Sequence, residues 1–434
     1  MQDTIEQIIT LLKKQNIQEF EIDISKSVGT STAVRLGKVE NISKYQNQNL
    51  DITIYNNQQT GHASSVDLSI SSIQSTINAA INIAKYTEFD KFHSLAPKEV
   101  LAFSPPDLNM FFPWELSAET AVNLAFECEE AGLSANGIDN SNGAEISSFS
   151  GTSWYVNSSG LSVSRKSSIH SLGCSLMASN GDDKQTSYEY CSVLDAKTLL
   201  SATKIGEKAV KNTLKKLGGS LIKSGNYPVI FTNKVSSSII SSILGSISGS
   251  SQYRKSTFLE GAIDKIIMPE NINIIEKPLA LKTIGSRAFD DDGVLKNTQH
   301  FIKDGRVATY IMGQYSANQM QSKTTGNAGG VNNVIVPATQ NMGLQEIIKQ
   351  MQNGIVVDEL MGQGVNGITG DYSRGASGFL IKNGEIIQRI AGITIAGNLK
   401  QMIQDIEIIG NDFDTQKNIK VGSILIKNMV VAGS

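Results

Sequence analysis

The segment from Glu359 to Phe379 concentrates chemically active side chains among glycines. Asp371, Tyr372 and Arg374 place an acid, an aromatic hydroxyl and a cation within four residues. Glycine loses more conformational entropy on ordering than other residues, so a run of glycines indicates a backbone geometry that other residues do not adopt. We therefore predict that this segment faces a peptide or a subunit interface. The candidate contact residues are Glu359, Gly362, Gly364, Asp371, Tyr372, Arg374 and Gly375.

Two other interpretations of this segment are considered. Arg374 could form an ion pair with Asp371 or Glu359, and the segment would then be a self-contained cluster of turns. Residues 362–367 also match the spacing G-x-G-x-x-G. A dinucleotide-binding version should follow a strand and open a helix whose N-terminus faces the phosphates. More glycines follow and no helical pattern begins, so we do not predict dinucleotide binding.

Side chains that bind metals or act as nucleophiles are scattered. The four histidines lie far apart, at His62, His93, His170 and His300. A zincin helix needs two histidines one turn apart with a glutamate as base. The three cysteines form no C-x-x-C pair, and no G-x-S-x-G nucleophile elbow occurs. The acidic run 290–292 lacks the ligand spacing of a calcium loop, so a solvated turn is expected there.

The composition is typical of a globular protein. The chain has 434 residues, of which 40% are hydrophobic and 18% are charged, and its formal net charge is −3. Without a basic excess or a basic stripe, we expect no nucleic-acid binding. The acidic start does not resemble a signal peptide, and no apolar run approaches the roughly 18 residues of a membrane span. We therefore expect a cytoplasmic protein without membrane attachment.

The elements that must position these side chains follow from the spacing of apolar residues. Helices are expected at residues 3–15, 73–84, 195–217 and 344–352, and alternation predicts strands within 19–24, 51–55 and 144–193. Asp304-Gly305 and Asn383-Gly384 lie between alternating runs and predict hairpin turns.

These elements predict an α+β fold. An N-terminal α/β part with a mixed or antiparallel sheet and flanking helices should precede a β-rich C-terminal part. We predict a first unit over residues 1–90, a central unit over 110–220 that continues it, and a C-terminal β-rich domain over 225–434. The loop-like, proline-containing residues 87–114 separate the first two units, and Gly218-Gly219 ends the helix before the third.

A series of motifs occupies most of the C-terminal half, in order and with few gaps. Its most specific members are SKTTGNAGG at 322–330, ELMGQGV at 359–365 and GDYSRGASGF at 370–379, and further blocks lie at 287–293, 315–317, 393–400 and 410–412. This series resembles the PmbA/TldE family, the non-catalytic branch of the TldD/TldE-type metalloproteases, whose members are also described as modulators of DNA gyrase. The resemblance implies an N-terminal α/β part and a C-terminal, mostly antiparallel β domain.

The resemblance also has an implication for zinc binding. The catalytic sister subunit of this family carries His-Glu-x-x-x-His on a helix and a cysteine near its C-terminus as zinc ligands. The matching helix here is residues 235–253, which contain no His, Glu or Cys, and residues 418–422 contain no Cys. The resemblance therefore implies no catalytic residue and no metal or cofactor in this chain, with zinc in a TldD-like partner.

The leading hypothesis is a TldE/PmbA-like subunit of a cytosolic zinc metalloprotease. It would form a heterodimer with a TldD-like subunit, or a homodimer when alone. It would help to enclose a peptide channel for degradation or maturation of unfolded or small peptides, and the chain alone would be inactive. The alternatives are a catalytically silent, homodimeric peptide-binding protein and a hydrolase with its own chemistry. A His-Glu-x-x-x-His homologue in the same genome would favour the first hypothesis, whereas metal-independent proteolysis by the purified chain would favour the last.

Overall fold

The computed structural model describes residues 1–433, and its N-terminal part is built from long strands and four helices. These elements are α1 (Gln2–Lys14), β1 (Glu19–Arg35), β2 (Lys38–Asn56), β3 (Gln59–Ser65), α2 (Ile70–Tyr86), α3 (Ala118–Leu133), β4 (Asn140–Asn157), β5 (Ser162–Asn180), β6 (Asp183–Val193) and α4 (Ala202–Leu214). Short 3₁₀ turns cover Lys98–Val100 and Ala196–Thr198.

The six strands form one antiparallel sheet in the order β3-β2-β1-β4-β5-β6. The central pairing of β1 with β4 is continuous from Glu21 opposite Asn157 to Val34 opposite Ala144. One face of the sheet is apolar and lies under the helices. Near β1 and β2 it packs against α1 and α2, and near β4 and β5 it packs against α3 and α4. The other face carries polar side chains.

The helix expected over residues 195–217 is shorter than predicted. The Asp195 carboxylate caps only the 3₁₀ turn, by accepting a 3.0 Å hydrogen bond from the Lys197 amide. The chain then becomes extended at Leu199, which packs against the apolar core. A new helix begins after Ser201, whose hydroxyl accepts from the Lys204 amide. The break in the helix thus coincides with packing of the half-buried Leu199 against the core.

The C-terminal part contains short helices among many strands. Its elements are β7 (Gly225–Phe231), α5 (Ser237–Ser246), α6 (Gly249–Tyr253), β8 (Ile274–Glu276), β9 (Gln299–Lys303), β10 (Arg306–Val307), α7 (Gln314–Gln319), β11 (Val334–Ile335), α8 (Leu344–Met351), β12 (Gly354–Met361), β13 (Asp371–Lys382), β14 (Glu385–Asn398), α9 (Leu399–Gln404), β15 (Ile406–Ile409), β16 (Ile419–Lys420) and β17 (Ile424–Ala432).

The larger C-terminal sheet closes on itself. Its strand order is β14-β13-β12-β7-β17-β15, and β14 pairs with β17 as well. Five strands therefore form a ring around an apolar core that includes Phe231, Ile243 and Tyr372. A smaller sheet has the order β10-β9-β8-β11-β16. Most neighbours run antiparallel, but β12 is parallel to β7 and β16 to β11.

The predicted fold class is confirmed. The structure is α+β, with an antiparallel N-terminal sheet flanked by helices and a strand-rich C-terminal part. The two predicted hairpin turns are also present, with positive φ angles at Asp304, Gly305, Asn383 and Gly384. No helix within residues 1–433 is both long and apolar enough to cross a membrane.

The N-terminal and C-terminal parts contact each other directly. Phe92 packs edge-to-face against Tyr253 of α6 and Tyr315 of α7, with ring centroids 5.6 and 6.4 Å away. The Tyr315 hydroxyl donates a 2.7 Å hydrogen bond to Asp90. The loop between α2 and α3 is thereby attached to the helices that follow α5.

Candidate functional site

The glycine-rich residues 362–370 extend the hairpin between β12 and β13. The Ser373 amide donates to Gly364 O at 2.7 Å, and the Asn366 amide donates to Asp371 O at 2.8 Å. Val365 forms an isolated bridge with Tyr372. The segment therefore follows a strand but continues as paired, extended chain instead of opening a helix, as the lack of a helical pattern in the sequence predicted.

Glycine occupies the positions of this segment for different physical reasons. A Cβ at Gly364 would lie 1.4 Å from Ser373 O, so the close backbone approach comes from the same hairpin. Gly362 and Gly370 have φ angles of +75° and +82°, which favour glycine. At Gly375 a Cβ would make only an ordinary contact, 3.4 Å from Met361 Cβ. The close approach at Gly364 is therefore explained by the neighbouring strand of its own hairpin.

The alternative interpretation, an ion pair of Arg374 with Asp371 or Glu359, is not realised among residues 1–433. Glu359 Oε1 accepts a 2.9 Å hydrogen bond from Lys216 instead. Asp371 accepts from the Thr369 hydroxyl at 2.5 Å and from the Asn398 side-chain amide at 3.2 Å. These hydrogen bonds hold the pKa of Asp371 below its usual value. Both carboxylates thus have partners other than the arginine.

Tyr372 and Arg374 lie two residues apart on β13, with side chains on one face. Tyr372 is 3% exposed and packs edge-to-face against Phe231 at a centroid distance of 6.4 Å. Burial raises the pKa of Tyr372 to about 12, against the opposing effects of the Arg374 charge and of the polar contact between the two side chains. Within the described part of the chain, the buried Nε of Arg374 has no hydrogen-bond partner, and the polar contact of the Tyr372 hydroxyl is with Arg374.

The predicted helix 235–253 is divided into α5 and α6 by a break at Ile247 and Ser248. The part that the family resemblance relates to zinc is α5. Serine hydroxyls of α5 point back onto the helix backbone. Ser241, Ser242 and Ser246 each donate to the carbonyl four residues earlier, at 2.7 to 3.0 Å. Hydroxyls satisfied in this way, without histidine, thiolate or carboxylate, do not fit a zinc ion.

No group of three or more His, Cys, Asp or Glu side chains that could hold a metal ion is found in residues 1–433. The cysteines Cys128, Cys174 and Cys191 are buried and free. They lie in α3, β5 and β6, on elements of the N-terminal sheet and its helices.

The acidic turn at residues 290–292 differs from the expected solvated turn. Asp290 is 1% exposed, and its carboxylate accepts from the Val294 and Ala328 amides, both at 2.9 Å. Burial and the neighbouring Asp292 raise the pKa of Asp290 to about 7. The Asp292 carboxylate accepts from the Gln314 amide at 2.6 Å. The two acids therefore anchor neighbouring loops.

A second acidic cluster, on the polar face of the N-terminal sheet, was not predicted. Glu21 accepts hydrogen bonds from the hydroxyls of Tyr55 at 2.7 Å and Tyr155 at 2.6 Å, while burial raises its pKa to about 6. Asp23 is directly opposite Asp51 in the β1–β2 register. Desolvation, followed by the charge of Glu21, raises the pKa of Asp23 to about 7. Alternation placed these acids on one face, but only the strand register brings them together.

Comparison with protein-family models finds three matches in order along the chain. Residues 20–84 match PmbA/TldA metallopeptidase domain 1, residues 112–217 match the central domain, and residues 224–433 match the C-terminal domain. The metalloprotease PmbA of Escherichia coli O157:H7 is 40% identical over 414 residues, which are 95% of this chain and 92% of that protein. A PmbA homologue of Haemophilus influenzae is 38% identical, with the same shares covered.

Solved structures share the fold. A candidate modulator of DNA gyrase from Bacteroides thetaiotaomicron superposes with a TM-score of 0.94 at 23% identity, covering 100% of this chain and 99% of that one. TldE from Thermococcus kodakarensis gives a TM-score of 0.84 at 20% identity, covering 99% and 100% of the two chains. At these identities the likeness shows the fold alone.

Proposed function

Because the chain belongs to the PmbA/TldA metallopeptidase family, we propose that it is the non-catalytic subunit of a cytoplasmic zinc metalloprotease. A TldD-like partner would supply the zinc and the catalytic residues. This chain would help to enclose the channel in which unfolded or small peptides are degraded or matured. The observation that carries the proposal is α5, whose serines bond to the helix backbone and whose sequence has no zinc ligand.

The surface offered to a peptide is the outer edge of the β12–β13 hairpin. β7 pairs with β12 only from Ile355 to Val357. Beyond that point β12 and the glycine-rich segment have no strand on this side within residues 1–433. Exposed apolar side chains lie along the same stretch, with Met361 44% and Ile368 60% exposed. An extended peptide can add to such an edge through main-chain hydrogen bonds, which tolerate many sequences.

The proposal is tested by co-expressing this chain with a TldD-like homologue from the same genome. We expect a one-to-one complex in size-exclusion chromatography and cleavage of an unfolded peptide only by that complex. Chelation of zinc should abolish cleavage. A complex in which the partner's motif glutamate is replaced by glutamine provides the inactive control.

Two results would contradict the proposal. Cleavage by this chain alone that resists chelation would show that it has its own catalytic chemistry. Failure to bind the partner, combined with peptide binding by a stable homodimer, would favour the catalytically silent peptide-binding protein instead.

A further inference from the structure

Arg374 is a cation without a counter-charge at the border of the C-terminal core. It lies on β13 between Tyr372 and Ala376, which are 3% and 0% exposed and belong to the apolar core. It forms no ion pair within residues 1–433, and its Nε is buried without a hydrogen-bond partner. Buried or half-buried charges in proteins are normally paired, because desolvation of an unpaired charge is costly.

The nearby carboxylates do not compensate this charge. Asp371 is held by Thr369 and Asn398, and Glu359 is held by Lys216. The buried Tyr372 hydroxyl lies on the same face of β13 as Arg374, and the polar group that it contacts within the described residues is Arg374 itself. Two residues along a strand span about 6.6 Å, a distance that a long arginine side chain covers. The pair therefore offers one O–H and several N–H donors beside each other.

Two glycines of the glycine-rich segment lie across the hairpin from Arg374, which is half-buried. A side chain at Gly362 would meet nothing within 4 Å, so the space around that residue is open. At Gly364 a Cβ would lie 3.6 Å from Arg374 Cγ, which places the arginine stem directly across the glycine backbone. Glycine at position 364 therefore lets the arginine stem lie against the backbone of the glycine-rich segment, next to the open space at Gly362.

We propose that Arg374 and the Tyr372 hydroxyl bind a carboxylate of a peptide held at the glycine-rich segment. A guanidinium forms paired, charge-assisted hydrogen bonds with a carboxylate, and a tyrosine O–H adds a third donor. The carboxylate is the C-terminus of the peptide or an acidic side chain, since both present the same group. This inference rests on the proposed peptide-binding function and adds the chemistry that the peptide must carry.

The test measures the affinity of the full-length chain for three fluorescent hexapeptides by polarisation. One peptide has a free C-terminal carboxylate, one has a C-terminal amide and no acidic residue, and one has the amide and a single internal glutamate. Because a hydrogen bond to a charged group changes affinity by about tenfold or more, the free acid should bind at least about tenfold more tightly than the neutral amide. Tight binding of only the free acid identifies the C-terminus as the source, and tight binding of the glutamate peptide identifies the side chain.

Variants assign the effect to the two residues. Arg374→Gln should abolish the preference for a carboxylate, and Arg374→Lys should retain part of it, because lysine keeps the charge but not the planar pair of donors. Tyr372→Phe preserves the packing against Phe231 and should weaken the preference to a smaller extent. Lys382→Gln removes a cation from the exposed far end of the same strand and serves as the matched control. Circular dichroism and thermal melting verify that each variant is folded.

The possible failures are distinguishable. If the acid and amide peptides bind equally well, or if Tyr372→Phe and Arg374→Gln both retain the preference, the carboxylate site is overturned while peptide binding stands. If no peptide binds the chain, the peptide-binding surface of the proposed function fails, and this inference fails with it.

Discussion

Lys216, two residues beyond α4, donates a 2.9 Å hydrogen bond from Nζ to Oε1 of Glu359 on β12. The contact joins the last helix of the N-terminal part to the strand that leads into the glycine-rich segment. A register shift between Val357 and Glu359 accompanies it. Glu359, a candidate peptide contact in the sequence, is therefore also a connection between the two parts of the molecule.

This connection should contribute modestly to stability. The Lys216 and Glu359 side chains are 18% and 37% exposed, so their coupling should be about 0.5–1 kcal/mol. We expect Lys216→Met and Glu359→Gln to lower the free energy of unfolding by similar amounts, and a double-mutant cycle in urea measures the coupling. Lys215→Met removes the neighbouring exposed lysine as a control. Strictly additive effects of the two changes would disprove an energetic connection.

The acidic cluster of the N-terminal sheet should make stability depend on pH. The pKa of Asp23 rises from 3.8 to about 7 in the folded protein. Between these values the folded state binds more protons than the unfolded state, so the free energy of unfolding falls as pH rises through this window. Asp23→Asn should therefore stabilise the protein more at pH 8 than at pH 5, as measured by urea denaturation at both values.

The matched control for this measurement is Asp182→Asn, which removes the same charge from an exposed turn. It should shift stability by a similar, small amount at both pH values. An equal effect of Asp23→Asn at pH 5 and pH 8 would show that the proximity of Asp23 to Glu21 and Asp51 has no energetic consequence.

The glycine-rich segment contains a matched pair of glycines. A Cβ at Gly364 would collide with Ser373 O, whereas at Gly367 it would meet nothing within 4 Å. We expect Gly364→Ala to lower the free energy of unfolding by about 1–3 kcal/mol, and Gly367→Ala to change it by less than about 0.5 kcal/mol. Thermal and chemical denaturation measure both. Equal tolerance at the two positions would contradict the hairpin geometry described above.

The lack of zinc ligands in α5 predicts the metal content of the purified chain. We expect less than stoichiometric zinc by elemental analysis and no change in melting temperature when a chelator is added. The TldD-like partner, purified in the same way, is the positive control for zinc. One tightly bound zinc per molecule of this chain would overturn this prediction.

The fold class could be predicted because its elements depend on local sequence. Periodic apolar spacing predicted α1, and the turn residues at Asp304 and Asn383 predicted the hairpins. The break before α4 could not be predicted in this way, since it depends on packing of Leu199 against other elements. The burial of Asp290 depends on amides supplied from residue 328, far along the chain.

In the candidate site, too, contacts between distant parts of the chain could not be predicted from the sequence. The sequence identified Arg374 and Tyr372 as neighbours on one strand, and it allowed Asp371 or Glu359 as the ionic partner. Those acids have different partners because Lys216 and Asn398 arrive from distant segments. The absence of an ionic partner for Arg374 in residues 1–433 becomes visible only when all these contacts are known.

The closed C-terminal sheet also constrains how the protein is made. β7 is the first strand of the ring to leave the ribosome, but its neighbours β12 and β17 are synthesised much later. At 5–20 residues per second, the wait for β12 is on the order of ten seconds. During that time Val229, Ile230 and Phe231, all fully buried in the finished ring, have no native strand to pair with. The strands of the N-terminal sheet are all synthesised before β7, so that sheet can form first, and the nascent chain would then carry a folded N-terminal part and an unpaired apolar strand until the ring closes.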